Sequence, residues 1–248
     1  MKKFLFALIC LSVFVVSCEV KNQQDVTDNN FESADLVESG IEKMNQRDYQ
    51  GAINDFTKAS ETDDDPDTLA FLAKAKSFAG DSKGALEAIN KALDIKTERR
   101  HYVARAEIQL ALKNFKDASS DIKKALVITD IDSWPYFILS KINFESGNNQ
   151  EALDNIKTAL SKGNDIESNK VLYYVHMADI KYATKDYQGA LDALTQAIDK
   201  AESLKGTEEG FSQDQISEFY NKRWKIKLDM GDKAGAEEDA RKAKSFNQ

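Results

Sequence analysis

An all-α array of stacked two-helix units is the fold class that this 248-residue chain predicts, and three observations predict it. The stretch Asp48-Tyr49-Gln50-Gly51-Ala52-Ile53-Asn54-Asp55-Phe56-Thr57-Lys58-Ala59 returns almost intact as Asp186-Tyr187-Gln188-Gly189-Ala190-Leu191-Asp192-Ala193-Leu194-Thr195-Gln196-Ala197. Alanines seven residues apart recur as Ala52/Ala59, Ala85/Ala92, Ala118/Ala125, Ala152/Ala159, Ala190/Ala197 and Ala236/Ala243, at steps of 33, 33, 34, 38 and 46 residues. Self-similarity at a fixed period near 34 marks stacked helix pairs. Finally, Ala85-Leu86-Ile89-Ala92-Leu93 follows the i, i+1, i+4, i+7, i+8 stripe of an amphipathic helix.

Composition agrees with this class. Charged residues are 31% and apolar residues 42% of the chain, with only two prolines, as expected of helices with solvated outer faces. The formal charge of −8 and the lack of a basic stripe argue against a nucleic-acid partner, whose phosphates need clustered Lys and Arg.

The first residues read differently from the rest. Lys2-Lys3 is a short positive segment, and Phe4 to Val16 is an apolar run too short to span a bilayer. It ends Val15-Val16-Ser17-Cys18, which resembles a bacterial lipobox. That resemblance implies a signal peptide over 1–17, cleavage before Cys18, and acyl chains such as palmitate on Cys18. Several acyl chains hold a protein on a membrane far more durably than one. Cys10 would leave with the leader, along with Lys2 and Lys3, so the mature chain would be more acidic and would have no free thiol and no disulfide. Residues 18–32 read as the lipidated Cys18 and a polar tether without helical period. Such a tether holds the following domain roughly 20 Å from the bilayer on average.

Residues 33–248 form the repeat array, with units near 33–65, 66–98, 99–132, 133–166, 171–204 and 217–248. Small residues recur eight places into each unit as Gly40, Ala73, Ala106, Ser140 and Ala178, and large ones four places in as Leu36, Leu69, Tyr102, Tyr136, Tyr174 and Tyr220. Phe56, Ile89, Ile122, Ile156 and Leu194 take the matching place between the paired alanines. This pattern resembles the tetratricopeptide repeat (TPR). The resemblance implies a right-handed superhelical solenoid of about six helix-turn-helix units. Gly80-Asp81, Gly147-Asn148-Asn149 and Gly231-Asp232 punctuate the turns. Pro135 falls in a first helical turn, where a missing N–H costs little, and Ser212 to Gln215 reads as a capping box.

The departures from the family pattern are specific. The usual aromatic residue at the eleventh place is replaced by Lys43, Lys76, Gln109, Asn143, Lys181 and Lys227. Unit six puts Trp224 where a small residue is usual and ends in a polar helix containing Ala240 and Lys244, as a terminal cap facing water should.

Sites of chemistry are scarce in the sequence. His101 and His176 have no Cys, His or carboxylate at metal-ligand spacing. The glycines read as turn markers, with no phosphate-cradling loop. Asp63-Asp64-Asp65-Pro66-Asp67 reads as a turn between helices, since an EF-hand needs a longer loop with a distal Glu. The expectation is therefore a non-enzymatic protein with no metal and no cofactor.

Binding remains. The TPR resemblance implies a concave groove lined by the first helix of each unit. Its residues here are Val103, Glu107, Trp134, Phe137, Lys141, Phe144, Val175, Asp179 and Tyr182. Val103, Phe137, Phe144, Val175 and Tyr182 give an apolar middle. Lys74, Glu107, Lys141, Asp179 and Lys225 alternate in sign down one column, as either a ladder of ion pairs or a recognition strip. The Lys–Asn pair with which some TPR domains clamp C-terminal carboxylates is replaced by Val37 and Ile41. These features suggest a membrane-anchored adaptor or scaffold. Its partners would be other envelope proteins or peptides, and its place the outer membrane facing the periplasm, with the outer leaflet of the inner membrane and the cell surface as alternatives. The alternative is a small-molecule-binding lipoprotein working with a transporter, which needs a closed pocket rather than an open groove.

Overall fold

The computed structural model of the chain describes residues 33–162 and 166–246. The leader, Cys18 and the tether lie outside the described residues, as do 163–165 of unit four and 247–248 of unit six. Among the described residues there are twelve α-helices and no strand, and no helix is long and apolar enough to cross a membrane. Helix α1 covers 33–45. It is followed by α2 (Tyr49–Thr62), α3 (Pro66–Phe78), α4 (Ser82–Ile95), α5 (Arg99–Ala111) and α6 (Phe115–Ile128). Then come α7 (Trp134–Glu145), α8 (Asn149–Ser161), α9 (Glu167–Ala183), α10 (Tyr187–Ser203), α11 (Gln213–Asp229) and α12 (Lys233–Ser245). Odd-numbered helices are the first helices of the six pairs and even-numbered ones the second. Two compact units are present, Met1–Ile108 and Gln109–Gln248, dividing inside α5.

The alanine pairs set the packing. Ala52, Ala59, Ala85, Ala92, Ala118, Ala125, Ala152, Ala190, Ala197 and Ala236 are wholly buried, and Ala159 and Ala243 nearly so. A methyl group is the largest side chain that lets two helix axes approach this closely. The bulky residue between each pair of alanines fills the space beside the contact: Phe56, Ile89, Ile122, Ile156 and Leu194 are fully buried. Opposite Phe56 sits Gly40, where a Cβ would stand 2.6 Å from the Phe56 ring. Within the first unit α2 packs on α3 and α3 on α4; within the second each helix from α6 to α12 packs on its sequence neighbour, and α7 also meets α9.

Every turn inside a helix pair uses one left-handed residue, just ahead of the second helix. These are Arg47, Gly80, Lys113, Gly147, Lys185 and Gly231, with φ between 59 and 86°. The next residue caps the second helix. At Asp48, Asp81, Asp186 and Asp232 the carboxylate accepts the N–H of Gly51, Gly84, Gly189 and Gly235, three residues on, at 2.9–3.0 Å. A Cβ on any of these glycines would fall inside the space of the capping carboxylate. Asn114 and Asn148 make no side-chain cap, and there Asp117 and Glu151 replace the glycine. Four glycines expected as turn markers are thus parts of helix caps, and their conformation is helical.

Buried carboxylates join helices within pairs. Asp55 takes Lys43 at 2.5 Å and the Ser39 hydroxyl at 2.7 Å; burial raises its carboxyl, but these two partners and the charge of Lys58 bring it below the usual range. Asp239, 1% exposed, binds Arg223 through both oxygens and Lys227 at 2.9 Å. Lys43 and Lys227 occupy the column where the family pattern has an aromatic residue, and ion pairing explains both replacements. Trp224 is half-exposed rather than packed between the last two helices.

The cap geometry makes a specific expectation. Asp81→Ala should cost ~1 kcal/mol. Gly84→Ala, which in an open helix would gain up to ~1 kcal/mol, should gain nothing in the wild type but regain that benefit in the Asp81→Ala background. Urea unfolding of the four proteins measures the coupling, and strictly additive changes would show that the two residues do not share a cap.

Candidate functional site

The first helices of the second unit carry most of the expected groove residues, and the structure divides them. Phe137 on α7 is only 7% exposed. Its ring lies 5.0 Å from that of Trp134, 4.9 Å from Tyr173 and 5.6 Å from His176, which it meets edge-on. Phe144, two turns further along α7, meets the other side of His176 at 5.6 Å. Phe137 is therefore the hub of an aromatic cluster joining α7 to α9, which corrects its expected place on the open groove. Val103, at 8% exposure, is likewise buried, in the first unit. Glu107 is half-buried and partnered. Val175, Asp179, Tyr182, Lys141, Phe144 and Trp134 are half-buried.

Sequence reading gave His176 no role, and the fold makes it the link between two phenylalanines. Its Nε2 is buried with no hydrogen-bond partner. Burial lowers its pKa to about 4 from the ordinary 6.5, with Lys141 and Lys222 acting the same way; Asp179 and a bond to the Ser140 backbone oppose them. A neutral imidazole is the form that packs between two rings.

A recess of about 380 Å³ opens where α9 and α11 face each other beside α7. Phe144, Asp179, Tyr182, Lys222 and Lys225 line it, with Leu194 and Ile226 at its floor. Tyr182 is held in place by donating its hydroxyl to Asp229 at 2.6 Å, and Lys225 lies over its ring at 5.2 Å. Asp179 takes Lys222 at 2.8 and 2.9 Å. The alternating column is therefore not a simple ladder. Asp179 bonds a residue outside that column, while Lys141 sits over the Phe137 ring at 5.7 Å. Among the described residues neither Lys141 nor Lys225 has a carboxylate within ion-pair distance.

The first unit has recesses that sequence reading did not single out. One, of about 410 Å³, is lined by Ile41, Met44, Tyr49, Phe71, Lys74 and Phe78. Phe78 is 56% exposed and stacks on Tyr49 at 5.3 Å. Ile41 and Lys74 belong to the groove columns, but the rings of Phe71 and Phe78 on α3 lie outside them. The expectation that neither histidine has carboxylates at hand also fails for His101, which the fold brings to Asp67 and Glu98.

The sequence matches no family model and no curated protein. Solved structures do match. A chain of the APC/C hetero-tetramer Cut9–Hcn1 superposes with TM-score 0.71 and 17% identity, over 90% of this chain and 42% of that one. A thermophilic TPR protein of Thermus thermophilus gives 0.64 at 16% identity, over 75% and 98% of the two chains. The pilF protein of Pseudomonas aeruginosa gives 0.62 at 17%, over 86% and 90%. The fold is that of the tetratricopeptide-repeat proteins. At these identities the likeness concerns the fold, and this chain spans less than half of the Cut9–Hcn1 chain.

Two outcomes are expected. Phe137→Ala should lower stability by ~3 kcal/mol or more, as loss of a buried ring does, whereas a ring on an open groove would leave the melting temperature nearly unchanged. Unfolded chains protonate His176 below pH ~6.5 but the folded ring resists until about 4, so the unfolded state binds more protons in between and stability falls as pH drops through that window. His176→Gln should flatten the fall between pH 6.5 and 4, and an unchanged pH profile would show that the ring is not held neutral.

Proposed function

We propose that this protein is a non-enzymatic scaffold, anchored to a bacterial envelope membrane through Cys18, that holds segments of other envelope proteins against its first helices. The observation that carries the reading is the open recess of the second unit. There Phe144 and Tyr182 offer aromatic faces, and Lys225, lying over the Tyr182 ring, has no carboxylate within ion-pair distance among the described residues. Aromatic anchors beside cations suit a segment in which apolar residues alternate with Asp or Glu, the apolar part giving burial and the charges register. A helix or an extended strand of a partner fits such an open face, whereas a transporter-associated small ligand would want enclosure. The lipobox-like Val15-Val16-Ser17-Cys18 supports the lipid anchor; the outer membrane facing the periplasm is the location proposed for it.

A photoreactive residue at Tyr182 in intact cells tests the binding face. Capture of a discrete envelope protein, lost when Lys225→Glu is added and retained with Lys116→Ala, is expected. Equal capture in both would show that the recess does not select its partner. Anchoring has its own test: Cys18→Ser should leave the precursor uncleaved or release the protein from membranes. A mature-sized, membrane-bound Cys18→Ser protein would remove the anchor from the proposal.

A further inference from the structure

Away from the recesses, the first unit gathers three ligand-type side chains at the seam between repeats. Asp67 stands in the first turn of α3, Glu98 just before α5, and His101 in the first turn of α5. One ligand atom from each lies within 4.8 Å of the others. His101 is wholly buried, a costly place for a polar ring unless both nitrogens are occupied. Its Nδ1 is 2.9 Å from the Lys96 carbonyl and its Nε2 is 3.0 Å from Asp67 Oδ1. Both neighbours are pure acceptors. A ring with one N–H satisfies one of them, and the backbone carbonyl can only accept. Nδ1–H therefore donates to Lys96, which leaves the Nε2 lone pair aimed at a carboxylate oxygen. Two electron-rich atoms in that position are reconciled by a positive charge between them, either a second proton on the ring or a metal ion.

The same arrangement is how proteins prepare histidine as a metal ligand: the second nitrogen donates to a carbonyl, which fixes tautomer and ring orientation. We propose that Asp67, Glu98 and His101 Nε2 form a binding site for one divalent transition-metal ion of the zinc type. One imidazole with two carboxylates is a donor set that suits zinc better than calcium or magnesium, which prefer oxygen alone. Metal–ligand bonds of ~2.0–2.2 Å at a tetrahedral centre put ligand atoms about 3.4 Å apart. The present 3.0 Å between Nε2 and Oδ1 needs to open by only a few tenths of an ångström. Three protein ligands leave a fourth position for water or for a donor from a partner.

The site has a built-in competitor. Arg100 bonds Asp67 Oδ1 and Glu98 Oε2, both at 2.6 Å, and Lys96 bonds the other Glu98 oxygen at 2.5 Å. The side chains of Arg100 and Lys96 are 56% and 62% exposed, so each can swing into water when an ion arrives. The ion and the guanidinium cannot hold the same oxygens together. Arg100 thus sets a threshold for metal binding, and removing it should tighten the site.

Zinc titration of the EDTA-treated full-length chain, followed by calorimetry and melting, tests this. One zinc per chain and a melting temperature that rises with zinc are expected, with visible absorption of the tetrahedral kind when cobalt is used instead. Asp67→Asn and Glu98→Gln, half-exposed and similar in shape, should fold as the wild type does and bind roughly tenfold or more weakly. Arg100→Ala should bind severalfold more tightly. Absence of heat, melting shift and cobalt band would overturn the proposal, as would binding that survives Asp67→Asn unchanged or Arg100→Ala that fails to strengthen it. Two ring N–H signals on His101 in zinc-saturated protein would overturn it too, by showing that a proton fills the place assigned to the metal.

Discussion

Two antiparallel helices bring their axes close only where neither carries a side chain larger than a methyl group. In this chain that condition is met by paired alanines in all six helix pairs, and every other feature takes its position from them. With Ala52 and Ala59 fixed against α1, for instance, Phe56 has one place to go, and Gly40 must lack a side chain to receive it. The columns of large and small residues along the chain are consequences of this approach. A substitution at an alanine therefore has no local remedy, since an added methylene forces neighbouring side chains off their rotamers or the helices apart.

Charges then fasten what the methyl contacts align. Buried Asp55 and Asp239 each hold a cation from the preceding helix, and capping aspartates fix four of the second helices. A carboxylate buried with its cation adds little compared with an apolar pair of the same shape, but leaving one partner alone is costly. These ties accordingly favour one register of first helix against second. In the last pair, where α12 is too polar to be held by burial alone, the Arg223–Asp239–Lys227 group supplies the register that apolar packing supplies elsewhere.

The fold was legible because the alanine period is short-range and strict. The candidate sites were less so, for two physical reasons. Residues of a first helix spaced three and four apart share a stripe, but the stripe is wide enough to have an inner and an outer edge. Phe137 and Tyr182 both belong to it, and only packing against Tyr173 and His176 decides that Phe137 is inside. Second, residues one repeat apart are neighbours across a seam. Asp67 and His101, at the starts of α3 and α5, are separated by 34 residues; Glu167 and Lys200, 33 apart, meet within one pair, at the start of α9 and the end of α10. A search for ligands three or four residues apart passes over such pairs, which only the folded array brings together. His176 gave no signal of its own, because its role exists only once α7 and α9 are packed, and the recurring Asp-x-x-Gly of the caps was visible as a repeat without showing which way each glycine is used.

The six turns within pairs share one backbone shape but differ in what they spend to make it. Glycine adopts the left-handed region freely at Gly80, Gly147 and Gly231, whereas Arg47, Lys113 and Lys185 hold it with a side chain attached, at a cost of ~1–2 kcal/mol each. The strained turns are the first, third and fifth. The backbone cost of the turns thus alternates along the chain. Glycine at 47, 113 or 185 would release it, whereas a side chain added at Gly80, Gly147 or Gly231 would introduce it.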